Sequence, residues 1–197
     1  MQDLVGFVLA GLALTGSPGP NTLSLAAVGA AYGFRRGILY MIGLLAGMVL
    51  VMAITATGLG GLMLAIPGVA PVVTALAVAY FLYLAWKIAS APPLERTSDI
   101  DRAPSFRGGV FLSLVNPKAY AAMAALFSGF VLFATNAEID LAAKVVALAA
   151  IIALVNVFWL SAGSALTTLF RDPRASRVIN IGFAVLLLAS LAFALAM

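Results

Sequence analysis

The sequence predicts an all-α membrane protein with six transmembrane helices in two inverted three-helix repeats, and three observations support this fold class. Of 197 residues, 64% are hydrophobic and only 9% are charged, whereas soluble domains carry about 25% charged residues. The apolar residues form six continuous runs, each close to the roughly 20 residues that a helix needs to cross about 30 Å of hydrocarbon. Prolines interrupt the first and fourth runs, which open the two halves of the chain.

The six predicted spans are separated by polar connections. They cover roughly residues 4–31, 37–59, 69–89, 108–133, 141–166 and 178–196. The longest polar connection divides one domain into a first repeat at 1–91, a linker at 92–107 and a second repeat at 108–197. Since each repeat holds an odd number of spans, the two repeats would cross the membrane in opposite orientations.

Basic residues fall almost entirely on one side of the predicted spans. Nine lysines and arginines lie in or beside the connections that follow the first, third and fifth spans, whereas Lys144 lies toward the opposite side, near Glu138 and Asp140. Short loops rich in lysine and arginine remain in the cytoplasm. The distribution therefore predicts that these three connections are cytoplasmic and that both chain termini are periplasmic. The formal charge of +4 arises from these loops and gives no reason to expect a nucleic-acid partner.

The first predicted span is interrupted by the motif Ser17-Pro18-Gly19-Pro20-Asn21. Proline has no N–H and clashes with the preceding helical turn, and glycine costs about 1 kcal/mol relative to alanine in a helix. The backbone groups that such a break frees find no partner in hydrocarbon, so the break must be buried in protein or line a cavity. The motif is therefore a candidate site.

The fourth predicted span is interrupted at Asn116-Pro117-Lys118. Two broken helices at corresponding positions of inverted halves indicate a transporter substrate site. The alternative is that each proline only kinks an ordinary packed helix. The lysine at the second break favours the site.

Lys118 is the charged residue that the sequence places deep within a predicted span, at a cost of roughly 2.5–3.5 kcal/mol on insertion scales. It lies about ten residues after Gly108, or roughly 15 Å along a helix, so snorkelling to the interface is the weaker alternative. A buried ammonium group suits a carboxylate. The start of a half-helix near Pro20, Asn21 and Thr22 would add N–H groups and a positive dipole end.

A substrate ammonium group would have to be bound by neutral oxygen atoms, because no acid lies in a span interior. Asn116, Tyr120 and Asn156 could supply them. Asn156 could equally form a hydrogen bond between packed helices, worth about 0.6 kcal/mol. The predicted substrate-binding residues are Pro18, Gly19, Pro20, Asn21, Thr22, Asn116, Pro117, Lys118, Tyr120 and Asn156.

Further segments accompany the two breaks along almost the whole chain, at residues 33–37, 79–84, 106–110 and 177–182, with Gly43 and Gly47 in the second span. Together with Pro-Gly-Pro-Asn and Asn-Pro-Lys, they make the chain similar to the lysine-exporter (LysE/RhtB) family of amino-acid exporters. The resemblance implies a six-helix exporter of the bacterial inner membrane that moves amino acids or similar small metabolites outward and forms a homodimer.

Two positions depart from the pattern of that family. Members often carry an aspartate after the glycine of the second span, where Met48 follows Gly47 here, and many carry one in the fifth span, where Asn156 stands. Both departures argue against a cationic substrate such as lysine. They also leave the coupling to protons open, with the amine of Lys118 as the titratable group available.

The function predicted from these features is secondary transport, the export of amino acids or related carboxylate-bearing metabolites across the cytoplasmic membrane. The alternative is a passive channel or facilitator for small polar solutes. Histidine and cysteine are absent, which removes most acid–base, nucleophilic and metal chemistry. We therefore expect neither an enzyme, nor a metal site, nor a cofactor. The expected partners are a small-molecule substrate, the lipid bilayer and a second copy of the chain.

Overall fold

A computed structural model describes residues 4–58, 69–90, 104–165 and 173–196, and the regular structure in these ranges is helical. The helices are α1 (Leu4–Gly16), α2 (Pro20–Ala56), α3 (Val69–Ala89), α4 (Phe106–Leu114), α5 (Pro117–Gly129), α6 (Ala137–Ala165) and α7 (Pro173–Ala196). The prediction of an all-helical protein is confirmed for the described residues. Most of the linker predicted at 92–107 lies outside them.

Several of these helices are suited to a bilayer. Helix α6 and the segment Phe34–Ala56 of α2 are each long and apolar enough to cross a membrane. Helices α4 and α5 together make a third apolar stretch, bent by 63° at the break between them. Large apolar side chains face outward, as at Leu154 and Val146, where a soluble protein would carry polar groups. The count of six spans and their inverted-repeat relation stay predictions.

Both predicted helix breaks are present, and prolines start the helices that follow them. Helix α1 ends at Gly16 and α2 begins at Pro20, while α4 ends at Leu114 and α5 begins at Pro117. Proline suits the first helical position because its missing N–H would have no partner there and its φ is already helical. The prediction that the first and fourth spans are interrupted at their proline motifs is confirmed.

The connection predicted between the first and second spans is present but shorter than residues 32–36. Gly33 alone departs from helical geometry, with a φ of +78°, and helical segments lie on both sides of this kink in α2. Glycine adopts positive φ without the steric penalty of a Cβ atom, so a single residue redirects the chain. Arg35 and Arg36 therefore lie exposed on the helix directly after this kink.

Glycines bring the helices into backbone contact on both sides of the kink. A Cβ atom added to Gly163 of α6 would overlap the backbone of Ala26 in α2, and one added to Gly43 would overlap the backbone of Phe106 at the start of α4. A Cβ atom at Gly47 would lie 2.7 Å from the carbonyl oxygen of Val110. The absence of side chains at these glycines therefore lets α2 pack directly against α6 and α4.

The prediction that Lys118 is the one charged residue inside a span is wrong, because Lys144 is also buried in an apolar helix. It lies in α6 with 4% of its surface exposed. Its ammonium group lies 2.7 Å from the Asp140 carboxylate and donates to the carbonyl oxygen of Phe127 at 3.1 Å. Because Asp140 lies one helical turn before Lys144, its carboxylate is the counter-ion of the lysine. Lys144 thus joins α6 to the end of α5, and its charge is neutralised.

Candidate functional site at the two helix breaks

The two helix breaks meet at the side chain of Lys118, the second residue of α5. Its ammonium group donates to the carbonyl oxygen of Ser17 at 2.9 Å, to the hydroxyl of Ser17 at 2.8 Å and to the carbonyl oxygen of Pro18 at 3.1 Å. These oxygens belong to the break between α1 and α2. Lys118 therefore finds three acceptors within the protein, all of them at the other helix break.

A second connection between the breaks runs through two asparagines. The amide of Asn116 donates to the side-chain oxygen of Asn21 at 3.0 Å, and the amide of Asn21 donates to the hydroxyl of Ser113 at 3.0 Å. Ser113 in turn donates to the carbonyl oxygen of Leu44 at 3.0 Å. This chain of hydrogen bonds joins both parts of α2 to α4 and α5, so it holds the two breaks in register.

The starts of the two half-helices differ in how their N–H groups are satisfied. The side chain of Asn116 caps α5 by accepting a hydrogen bond from the N–H of Lys118 at 3.1 Å. At the start of α2 the capping position is Gly19, which has no side chain, and Thr22 accepts from the N–H of Gly19 at 2.9 Å. Unlike α5, α2 therefore begins with backbone N–H groups that no side chain caps.

A small cavity of about 40 Å³ lies at this junction. One water requires roughly 10–15 Å³, so the cavity holds only a few waters, and an amino acid would require side chains to move. The structure brings seven of the predicted residues to the cavity wall: Gly19, Pro20, Asn21, Thr22, Asn116, Lys118 and Asn156. The wall is therefore built from both breaks and from α6.

Three predicted residues lie outside this wall. Pro18 contributes only its carbonyl oxygen, which Lys118 binds. Pro117 occupies the first position of α5, and Tyr120 packs against an apolar cluster formed by α5 and its neighbours. Tyr120 was predicted as an oxygen ligand, but it points to the core, because helical residues two positions apart face different directions.

Sequence reasoning missed Ser17, Thr15 and Met48 as lining residues. Ser17 belongs to the first motif, and a serine next to freed carbonyl groups could have been recognised as a further ligand. Met48 is the position at which the family pattern has an aspartate, so its place in the wall could also have been expected. Thr15 belongs to neither motif, so the sequence did not single it out. Its hydroxyl donates to the carbonyl oxygen of Gly11 at 2.7 Å.

The cavity wall carries a positive charge and no negative charge. Lys118 is the charged residue among those that line the cavity, and the wall contains no Asp, Glu or His. Asn156 is 3% exposed, and its side-chain nitrogen has no hydrogen-bond partner among the described residues. A buried donor without a partner costs about 1–3 kcal/mol. One neutral donor is thus unpaired at the wall, and the cation at the same cavity is bound by neutral oxygen atoms.

The rest of the wall is apolar. Leu14, Met48, Met123, Ile152 and Val155 line it from four helices. Such surfaces match small uncharged groups and leave a second charge unpaired. Within the described ranges, no three His, Cys, Asp or Glu side chains come together.

Gly19→Ala is expected to displace Lys118 and to lower activity without unfolding the protein. A Cβ atom at Gly19 would lie 2.8 Å from the ammonium nitrogen of Lys118 and 2.9 Å from its Cδ atom. Since a flexible side chain can give way, we expect the loss of the bonds to Ser17 and a roughly tenfold weaker substrate affinity. Gly16→Ala is the matched control, because its Cβ would meet Val155 at an ordinary 3.7 Å. Equal affinities of the two variants would contradict the expectation.

Comparisons with known proteins give one consistent family. A family model described as LysE type translocator matches residues 12–197. The chain is 32% identical over 173 residues to a cysteine/O-acetylserine efflux protein of Escherichia coli O139:H28, covering 87% of each chain. Proteins with the same description from Escherichia coli K12 and Shigella flexneri serotype 5b are 32% identical over 172 residues, which is 87% of this chain and 86% of theirs. No solved structure matches significantly.

Proposed function

The chain belongs to the LysE type translocator family, and from this we propose that it is a secondary transporter that exports small amino acids or related carboxylate-bearing metabolites across the cytoplasmic membrane. The observation that carries the proposal is the position of Lys118, a cation without an acidic partner in the described structure, where two broken helices meet at a cavity. Broken helices with a site between them are typical of transporters that work by alternating access.

The substrate carboxylate is bound by Lys118 and by the side-chain nitrogen of Asn156. Both residues line the same cavity, and the Asn156 nitrogen has no other partner among the described residues. The first turn of α2 adds the positive end of its dipole, since Gly19 leaves it without a side-chain cap. A carboxylate therefore satisfies a donor whose burial is otherwise costly.

The substrate side chain is small and uncharged. The apolar wall around Met48 and Met123 contains no acid that could pair with a second cation. Cysteine and O-acetylserine, which name the related efflux proteins, fit this class and are the first compounds to test. The missing aspartates at Met48 and Asn156 fit the same conclusion, because lysine or arginine would bury an unpaired charge.

The membrane arrangement in this proposal has six spans in two inverted three-helix repeats, with periplasmic termini and two copies of the chain in the inner membrane. The two proline breaks and the excess of basic residues on one side support it. The 63° bend between α4 and α5 and the glycine kink in α2 are the positions at which helices would hinge as the site changes access.

Counterflow in proteoliposomes tests the proposal and separates a carrier from a channel. Vesicles containing the purified protein are loaded with unlabelled cysteine or O-acetylserine, and the uptake of labelled substrate is followed. A carrier accumulates label transiently because internal substrate accelerates exchange, whereas a channel shows no such stimulation. Absence of stimulation by any small amino acid, in vesicles with correctly folded protein, would refute export by a carrier.

Asn156→Leu is expected to weaken substrate binding roughly tenfold, the value of one hydrogen bond to a charged group, while the Tm stays equal or rises. The Tm does not fall because the side-chain nitrogen of Asn156 has no partner among the described residues. Both quantities can be measured on purified protein by ligand titration and thermal unfolding. If Asn156 instead joined packed helices, its loss would lower the Tm and leave affinity unchanged.

A further inference from the structure

On the basis of the proposed function, we propose that the three oxygen atoms now bound to Lys118 form the subsite for the α-ammonium group of the substrate. These atoms are the carbonyl oxygen and hydroxyl of Ser17 and the carbonyl oxygen of Pro18, referred to below as the oxygen cage. In the structure they hold the ammonium group of Lys118 at 2.8–3.1 Å. The lysine therefore occupies the place of the substrate ammonium when no substrate is bound.

The oxygen cage matches an ammonium group in number and charge. An ammonium group has three N–H donors and no acceptor, and the cage offers three oxygens. Two of them are backbone carbonyls, whose positions are fixed by the break after α1. Ser17 and Pro18 follow Gly16, the last residue of α1, and the C-terminal end of a helix carries a partial negative charge of roughly half an electron.

Trp159 fixes that end of α1 in place. Its indole N–H donates to the carbonyl oxygen of Gly16 at 3.1 Å, so α6 positions the residue directly before the oxygen cage. Unwound carbonyls and the C-terminal ends of half-helices coordinate cations in other transporters. A cation subsite at the end of α1 has the same physical basis.

The substrate carboxylate attracts Lys118 out of the oxygen cage, and the substrate ammonium group then takes the place of the lysine. When the carboxylate draws Lys118 away, the three cage oxygens lose their charged donor, and the carbonyl oxygen of Ser17 keeps only the hydroxyl of Thr22 at 3.3 Å, so hydrogen bonds to a charged group are lost. In an α-amino acid the ammonium group is attached one carbon from the carboxylate, so it arrives beside the vacated cage. Exchanging one ammonium group for another keeps the number of hydrogen bonds and leaves every charge paired.

The side-chain oxygens of the two asparagines at the helix breaks already accept hydrogen bonds. The side-chain oxygen of Asn21 accepts from Asn116, and that of Asn116 accepts from the N–H of Lys118. The wall contains no carboxylate. The oxygen cage therefore offers three acceptors when Lys118 moves, and substrates that are zwitterions with a primary ammonium group match it.

Ser17→Ala tests the assignment with two ligands that differ only in the ammonium group, L-cysteine and 3-mercaptopropionate. Their dissociation constants are measured on purified full-length protein. In the unmodified protein we expect cysteine to bind at least about tenfold more tightly than 3-mercaptopropionate. Ser17→Ala should remove most of this difference between the two dissociation constants. Cysteine should bind more weakly, whereas 3-mercaptopropionate should bind equally or more tightly, because Lys118 loses a competing partner.

Ser128→Ala is the matched control, since the exposed hydroxyl of Ser128 bonds within its own helix. The ratio of the two dissociation constants in this variant should equal that in the unmodified protein. An equal weakening of both ligands by Ser17→Ala, or no change in the ratio, would overturn the subsite while leaving the proposed export intact. Failure of cysteine and of every other small amino acid to bind would overturn both.

A second measurement uses Lys118→Ala, which empties the oxygen cage. Propylammonium has the atoms that this substitution removes, and at saturation we expect it to raise the Tm of the variant by about 3 °C. Neutral 1-propanol and equimolar sodium chloride should not. Stabilisation by sodium without stabilisation by propylammonium would make the cage a metal-ion site and overturn the assignment.

Discussion

Lys118→Met is expected to reduce export by about 100-fold, because hydrogen bonds to a charged group are worth about 1.5–3 kcal/mol and their loss leaves the partner unpaired. The substitution keeps the length and packing of the side chain but removes the ammonium group. The carboxylate then loses its cation, and the oxygen cage loses its resident donor. Initial rates of cysteine and O-acetylserine exchange in proteoliposomes measure the effect.

Lys87→Met provides the control for loss of a positive charge. Lys87 lies in the last turn of α3 and not in the cavity wall, so we expect exchange within about twofold of the unmodified protein, a difference of only about 0.4 kcal/mol. Unchanged exchange in Lys118→Met, at equal amounts of folded protein in the vesicles, would contradict the central role of Lys118. A loss only in Lys118→Met would support it.

Gly163→Val is expected to destabilise the folded protein more than any other substitution considered for this chain. A Cβ atom there would overlap the carbonyl group of Ala26, and its distance to the Cα atom of Ala26 would be 2.8 Å. The overlapping atoms are backbone, so they cannot rotate away as a side chain would. On the facing helix, Gly29 has equally little room beside the backbone of Leu160 and Ser164.

Overpacking costs about 1–3 kcal/mol and occasionally more, and 1 kcal/mol shifts Tm by about 2–4 °C for a chain of this size. We therefore expect Gly163→Val to lower Tm by about 10 °C and to reduce the yield of monodisperse protein. Gly182→Val is the control, because no described atom lies within 4 Å of a Cβ atom built there. Equal thermal unfolding of the two variants would show that α2 and α6 do not depend on this crossing.

Much of the site could be anticipated because its signals are local. Proline and glycine at residues 18–20 cannot continue a helix whatever surrounds them, so the first break followed from covalent structure. The same holds for the break before Pro117. A lysine ten residues into an apolar run is costly wherever the helix packs, which singled out Lys118.

Other features depended on which helix faces which. Tyr120 and Asn156 were equally plausible ligands by composition, yet only Asn156 lines the cavity, because the rotation of each helix is set by its packing. The predicted connection between the first two spans consists of the kink at Gly33 alone, since one residue with positive φ accomplishes the change in direction. Lys144 is buried and neutralised by Asp140, although its neighbours in sequence suggested a surface position.

The sequence by itself determined the apolar helices, the two helix breaks and the cation at the second break, since each follows from the chemistry of a few consecutive residues. The tertiary structure decided what the cation binds: Lys118 meets Ser17, which lies 101 positions earlier in the chain. Contacts over such separations arise only when α1, α2 and α5 pack together. For that reason the lysine was recognisable from sequence, whereas the oxygen cage that holds it was not.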